Sequence, residues 1–177
     1  MTLDDIIEDI LGKEGGFVDH PDDRGGATNW GITERVARQH GYHGDMRELP
    51  REKAKAILKV DFWVKPRLDR VAQISMPIAI EMADTGVNMG PTFPARTLQR
   101  WLNVFNGRQP NLTTDGIVGP RTLEALDKFI RARGVDGEEV LLKALNCTQG
   151  HRYLEITESR PANESFIFGW MKNRIKI

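Results

Sequence analysis

Apolar residues recur at three- and four-residue spacing in segment after segment of this chain, and Pro or Gly marks most of the segment ends. That pattern restricts the fold to packed amphipathic helices. The first case is Leu3, Ile6, Ile7, Ile10 and Leu11, with Thr2 and Asp5 placed as a capping pair and Gly15-Gly16 as the stop. Thr33 is positioned to cap a helix to about His40, ended by Gly41. Pro50 opens another to about Val64, with Ala54, Ile57, Leu58 and Phe62 as the buried stripe, and Pro66 stops it. Pro77 opens a helix over 78–89 and Pro94 one over 95–105, which Asn106-Gly107 ends. Asp115-Gly116-Ile117-Val118-Gly119 reads as a tight turn before Pro120, followed by helices over 121–132 and 137–157. Phe166, Phe168 and Trp170 are expected to anchor a last helix. Only the stretch around Thr28, Trp30 and Ile32 alternates as a strand does, which predicts a small β-hairpin in a mainly α fold.

Composition removes several function classes. One Cys in 177 residues supplies neither an internal disulfide nor a thiolate zinc site, so packing alone must hold the fold. That residue, Cys147, lies among Leu142, Ala144 and Leu145 and is expected in the core. Lys+Arg and Asp+Glu balance at 25 each, which argues against nucleic-acid binding. The charge is divided, with 12 Lys+Arg against 16 Asp+Glu up to Asp84 and 13 against 9 beyond it, as would suit a chemistry lobe joined to one that meets an anionic polymer. His20, His40, His43 and His151 lack the spacing of a metal site, and Asp19, Asp22 and Asp23 lack that of a calcium loop; no metal or cofactor is expected. Apolar runs far shorter than the roughly 20 residues that span a bilayer predict no stable membrane insertion. Glu8 and Asp9 interrupt the first apolar stretch, so no export signal is expected and synthesis is placed in the cytoplasm.

One segment carries chemistry. Glu14 follows Leu11 by three residues, Ile10 by four and Ile7 by seven, which puts a carboxylate on the apolar face of the first helix. Desolvation there raises a carboxylate's pKa, as a general acid requires near neutral pH. Asp23 follows nine positions later in an Asp-rich loop and Thr28 five after that. A hydrated second carboxylate opposite a buried one is the glycosidase arrangement, although a helix-end salt bridge and solvated turn residues would give the same spacing. Trp30 is placed to stack on a sugar or to shield Glu14 from water. Asn88, near the end of an apolar helix, can bond an N-acetyl group or be a backbone-satisfied polar residue.

The stretch from Glu14 to Thr33, E-G-G-F-V-D-H-P-D-D-R-G-G-A-T-N-W-G-I-T, resembles the signature of the glycoside hydrolase family 108 muramidases. That family includes phage endolysin-like lysozymes and bacterial toxin-export muramidases. The resemblance implies that Glu14 is the catalytic acid. Its E-x8-D-x4-T spacing is also similar to the E-x8-D-x5-T of phage-type lysozymes, which implies that Asp23 and Thr28 position the water. Asn29, Trp30 and Asn88 are the implied substrate-binding residues. Arg24 and Phe17 depart from the Pro and Tyr common in relatives. Asp84 to Gly90, Asp115 to Thr122 and Phe166 to Arg174 resemble the peptidoglycan-binding region usually fused to this catalytic part.

The implied organisation is a lysozyme-like catalytic region over 1–89, with its hairpin near the active site, and a helical peptidoglycan-binding region over 90–177. The implied activity is hydrolysis of the β-1,4 bond between N-acetylmuramic acid and N-acetylglucosamine by a monomer acting on peptidoglycan in the periplasm or cell wall. A non-catalytic peptidoglycan-binding protein and a lytic transglycosylase are the competing readings.

Overall fold

The computed structural model describes residues 2–13, 17, 27–107 and 112–175, which form two compact units, Met1–Lys65 and Pro66–Ile177. Among the described residues there are eight α-helices and one two-stranded antiparallel sheet, so the expected mainly α fold with a small hairpin is what the chain adopts.

In the first unit, α1 is Leu3–Lys13. The Thr2 N–H donates to Asp5 Oδ2 at 2.6 Å and the Asp5 N–H to Thr2 Oγ1 at 3.1 Å, which is the reciprocal cap read from the sequence. Ile6, Ile7 and Leu11 are buried. Strands β1 (Thr28–Asn29) and β2 (Ile32–Thr33) pair Thr28 with Thr33 and Asn29 with Ile32. Thr33 then caps α2 (Glu34–Gln39), its hydroxyl accepting from the Val36 N–H at 3.4 Å. A 3-10 turn, Met46–Glu48, leads to α3, Arg51–Lys59. Ile7, Leu11, Ile32, Met46, Leu49 and Ile57 meet in one core, where each large side chain contributes roughly 1.5–3 kcal/mol relative to leaving it exposed.

The helix expected to reach Val64 changes character on the way. Val60–Val64 is a π turn in which the Lys65 N–H donates to the Val60 carbonyl at 2.8 Å. The extra residue in the turn rotates the register, so Trp63 becomes buried and Phe62 only half-buried.

In the second unit, α4 (Leu68–Ala72) leads to α5 (Met76–Met89). Ser75 caps α5 by accepting from the Ile78 N–H at 3.2 Å, with Pro in its first turn. Every residue from Ile78 to Gly86 is buried, because α4, α6 (Thr92–Phe105) and α7 (Pro120–Ser159) all pack on α5. The two helices expected over 121–157 form one long element broken at Gly134, whose φ of 60° and ψ of −145° only glycine adopts readily. A 3-10 turn, Pro161–Asn163, precedes α8, Glu164–Arg174.

Two expectations fail in this unit. Cys147 is exposed, since α7 buries Ala144, Leu145 and Gln149 on one side and turns Cys147 to the other. Phe166 and Phe168 do not anchor α8; they are 56% and 78% exposed, and the buried residue of that helix is Arg174. No described helix is long and apolar enough to cross a membrane.

Candidate active site

Glu14 and Asp23 lie outside the described residues, so the site is built here from the elements on either side of them. Helix α1 runs up to Lys13 with Ile6, Ile7 and Leu11 in the core. Glu8, on its outer side, is paired with Arg51 and with Lys55, the latter at 2.7 Å, and these two cations of α3 hold its carboxyl below the usual carboxylate range. The strand residues Thr28 and Asn29 follow the second interval. Helix α1 and strand β1, the described elements before Glu14 and after Asp23 in sequence, are thus both part of packed structure.

The hairpin is a two-residue turn rather than a continuous alternating strand. Trp30 and Gly31 occupy its corner with φ of 55° and 74°, the pattern of a type I′ turn, whose twist suits paired strands. Trp is costly at positive φ, and two contacts offset the strain. The Trp30 indole N–H donates to the Leu49 carbonyl at 3.0 Å, and the Arg51 guanidinium lies 5.9 Å from the ring centre. Asn29 is 4% exposed, and its amide donates to the Met46 carbonyl at 2.7 Å and the Arg47 carbonyl at 3.4 Å. These two side chains tether the hairpin to the 46–49 turn. Thr28 is half-buried and paired across the strands with Thr33. Phe17 lies 4.9 Å under the Arg47 guanidinium.

Asn88 belongs to the second unit. Its side-chain amide donates to the Tyr153 hydroxyl at 3.2 Å and to the Asp84 carbonyl at 3.4 Å. Asp84, 3% exposed, pairs with Arg174 at 2.5 Å and accepts from the Gln149 amide at 3.0 Å. Gln149 also donates to the Tyr153 hydroxyl at 3.3 Å. Burial pushes the Tyr153 phenol well above its ordinary value.

The profile of the family described as Glycosyl hydrolase 108 matches residues 7–90. That segment carries the family's domain. A second profile, described as Predicted Peptidoglycan domain, matches 93–175, so the two together account for nearly all of this glycosyl hydrolase. In fold it is similar to SagA of Brucella abortus, at 24% identity and a TM-score of 0.62, covering 96% of this chain and 87% of that one. Among curated proteins there is no match.

One residue of the peptidoglycan region escaped sequence reasoning. Gln99, 1% exposed on α6, inserts its amide into the Asp115–Thr122 element. It donates to Asp115 Oδ1 at 2.8 Å, the Ile117 carbonyl at 3.0 Å and Thr122 Oγ1 at 3.2 Å, and it accepts from the Gly116 N–H at 3.0 Å. Gly116 has φ of 79°, and a Cβ there would meet Thr92 Cγ2 at 2.4 Å. The D-G-I-V-G-P-R-T element of this glycosyl hydrolase is accordingly a built turn and helix start. The available signal for Gln99 was its polarity on the apolar face of α6, between Leu98 and Leu102.

Proposed function

We infer that this chain is an N-acetylmuramidase that hydrolyses the β-1,4 bond between N-acetylmuramic acid and N-acetylglucosamine in peptidoglycan. The observation that carries the reading is the succession of a glycosyl hydrolase 108 segment and a peptidoglycan domain in one chain. Glu14 is assigned as the general acid. It stands directly after α1, whose buried face fixes the helix that leads into it. Its role is to protonate the glycosidic oxygen as the bond breaks, while Asp23 positions water or stabilises the oxocarbenium-like charge. Thr28 assists in placing that water. A carboxyl separation of roughly 6.5–9.5 Å leaves room for the water and inverts the anomeric centre, whereas about 5–5.5 Å gives retention.

Trp30 is assigned to the sugar-facing side of the hairpin, with Asn29 supporting the turn that presents it, and Asn88 to an N-acetyl group. The functional boundary is assigned at 89/90. This is distinct from the division of packing at Lys65, because α5 packs with the helices that follow it. The protein acts as a monomer on the cell wall, and two uses fit that activity: host lysis, as by an endolysin, and local wall opening for toxin export. Lysis on co-expression with a holin would support the first, and loss of toxin release on deletion the second.

The test is digestion of isolated sacculi by wild type and Glu14→Gln, with mass spectrometry of the soluble products. Reducing-end muropeptides from wild type alone are expected. Anhydro ends, one water lighter, would mean a transglycosylase, and bound but uncut sacculi a binding protein.

A further inference from the structure

Helices α7 and α8 carry three rings in a near-parallel series. Tyr153 and Trp170 are 5.0 Å apart between centres at 24°, and Trp170 and Phe166 are 5.9 Å apart at 22°. The series runs from the fully buried Tyr153, through the half-buried Trp170, to Phe166, which is more than half exposed. Phe168 and Met171 are exposed on the same helix, so the open end of the series belongs to an apolar stretch of α8 rather than to one isolated ring.

At the buried end of the series stands Asn88, itself exposed. Its Nδ2 is engaged with Asp84 and Tyr153, which orients the amide and leaves Oδ1 with no partner among the described residues. The Trp170 indole N–H likewise has none. The patch therefore offers an oriented acceptor, an indole donor and an apolar ring face within one unit. An acetamido group presents the complementary set, an N–H, a carbonyl oxygen and a methyl, attached to a ring whose axial C–H bonds form an apolar face. A purely apolar partner would leave both polar groups dehydrated and unpaired, which costs free energy.

We propose that Asn88, Trp170 and Phe166 form an N-acetylhexosamine subsite, a place where the second unit holds a glycan strand. This rests on the peptidoglycan reading above and adds to it a position and a chemistry. Asn88 Oδ1 accepts from the acetamido N–H, Trp170 Nε1 donates to a sugar-borne oxygen, and Phe166 extends the apolar floor. Tyr153 is a positioning residue, holding Asn88 by its hydroxyl and Trp170 by its ring.

The test titrates full-length protein in the Glu14→Gln background with tetra-N-acetylchitotetraose, following the indole N–H resonances of Trp30, Trp63, Trp101 and Trp170. The Trp170 signal, assigned by its loss in Trp170→Phe, is expected to shift. By isothermal titration calorimetry with the same tetramer, Trp170→Phe and Asn88→Ala should bind about tenfold more weakly, the loss of one hydrogen bond. Phe166→Ala, which removes an exposed ring and should leave thermal unfolding unchanged, should weaken binding several-fold and so guards against misreading a folding defect. The de-N-acetylated tetramer should leave Trp170 unmoved.

An unmoved Trp170 signal at millimolar chitotetraose overturns the proposal, as does equal binding of the de-N-acetylated sugar or wild-type affinity in Phe166→Ala and Asn88→Ala together. The sacculus digestion separates the two readings. Hydrolysed sacculi with an unmoved Trp170 sink the subsite alone, and a shifted Trp170 with uncut sacculi upholds the subsite while sinking the muramidase.

Discussion

Replacing Arg174 by Met tests what fastens the last helix. Arg174 is 5% exposed and Asp84 3%, so the pair is desolvated on both sides, and it joins α8 to α5. Removing the guanidinium leaves a buried carboxylate with the Gln149 amide as its remaining hydrogen-bond donor in this network. Breaking such a pair costs about 3–5 kcal/mol, whereas replacing both charges by neutral groups is often close to neutral. Little else of α8 is buried, so the loss is capped by the free energy with which α8 docks, and beyond that cap the helix detaches. Arg174→Met is therefore expected to lower the unfolding temperature by on the order of 10 °C, or to expose α8 amides to exchange while the rest of the unit stays protected. In Asp84→Asn/Arg174→Met both charges of this pair are gone, and part of the loss should be recovered, with the buried Glu81 of α5 keeping its own charge. Urea unfolding of the two single variants and the double variant closes the cycle. Single variants that each cost under about 1 kcal/mol, or a double variant as damaged as the sum of the singles, would refute the argument that burial makes this pair strong.

Gln99→Leu keeps the volume but orphans the Gly116 N–H, while the Ile117 carbonyl still accepts from the Gly119 N–H and the Thr122 hydroxyl; a loss of about 1–3 kcal/mol in urea unfolding is expected, with Gln99→Glu also destabilised by a carboxylate facing Asp115. The Gln99 amide and the Ile117 N–H hold the Asp115 carboxyl below the usual carboxylate range, so its stabilisation is present above ordinary carboxylate values and disappears as pH falls through the folded-state pKa. Thermal melts from pH 5 to pH 2 should therefore fall less steeply in Asp115→Asn than in wild type. Trp30→Phe retains a ring at the hairpin corner but loses the bond to the Leu49 carbonyl, for an expected cost of about 1 kcal/mol by denaturant unfolding. Asp23→Asn should cut sacculus hydrolysis sharply without altering the melt, and an undiminished rate would move the second carboxylate's role to Asp19 or Asp22.

Local chemistry was legible wherever one residue decides one backbone group. The Thr2 and Asp5 cap and the Thr33 cap follow from hydroxyls and a carboxylate acting within a turn of themselves. Features that depend on a partner distant in the chain were not legible. Phe166 and Phe168 look like anchors by hydrophobicity, yet α8 is fastened by a cation whose carboxylate lies 90 residues earlier. Cys147 has Leu142 and Leu145 near it in sequence, but residues five and two positions apart on a helix face different ways. Trp63 replaced Phe62 in the core because a π turn, invisible to a 3.6-residue period, inserted one residue.

The same contrast bears on the hairpin. From the sequence, Asn29 and Trp30 are expected substrate-binding residues, with Trp30 placed to stack on a sugar or to shield Glu14 from water. Their donors instead meet the Met46, Arg47 and Leu49 carbonyls, groups 17 to 19 residues away. An N–H engaged in this way is closed to a ligand, while the half-buried Trp30 carries the Arg51 guanidinium over its ring. Asn88 and Trp170 are arranged the other way round: the protein uses Nδ2 of one and the ring of the other, and Asn88 Oδ1 and the Trp170 indole N–H have no hydrogen-bond partner among the described residues. Hydrogen-bond engagement, more than residue type, thus separates a tether from a contact surface. It also predicts that Asn29→Ala acts first on stability, through the lost Met46 bond, and Asn88→Ala first on sugar affinity.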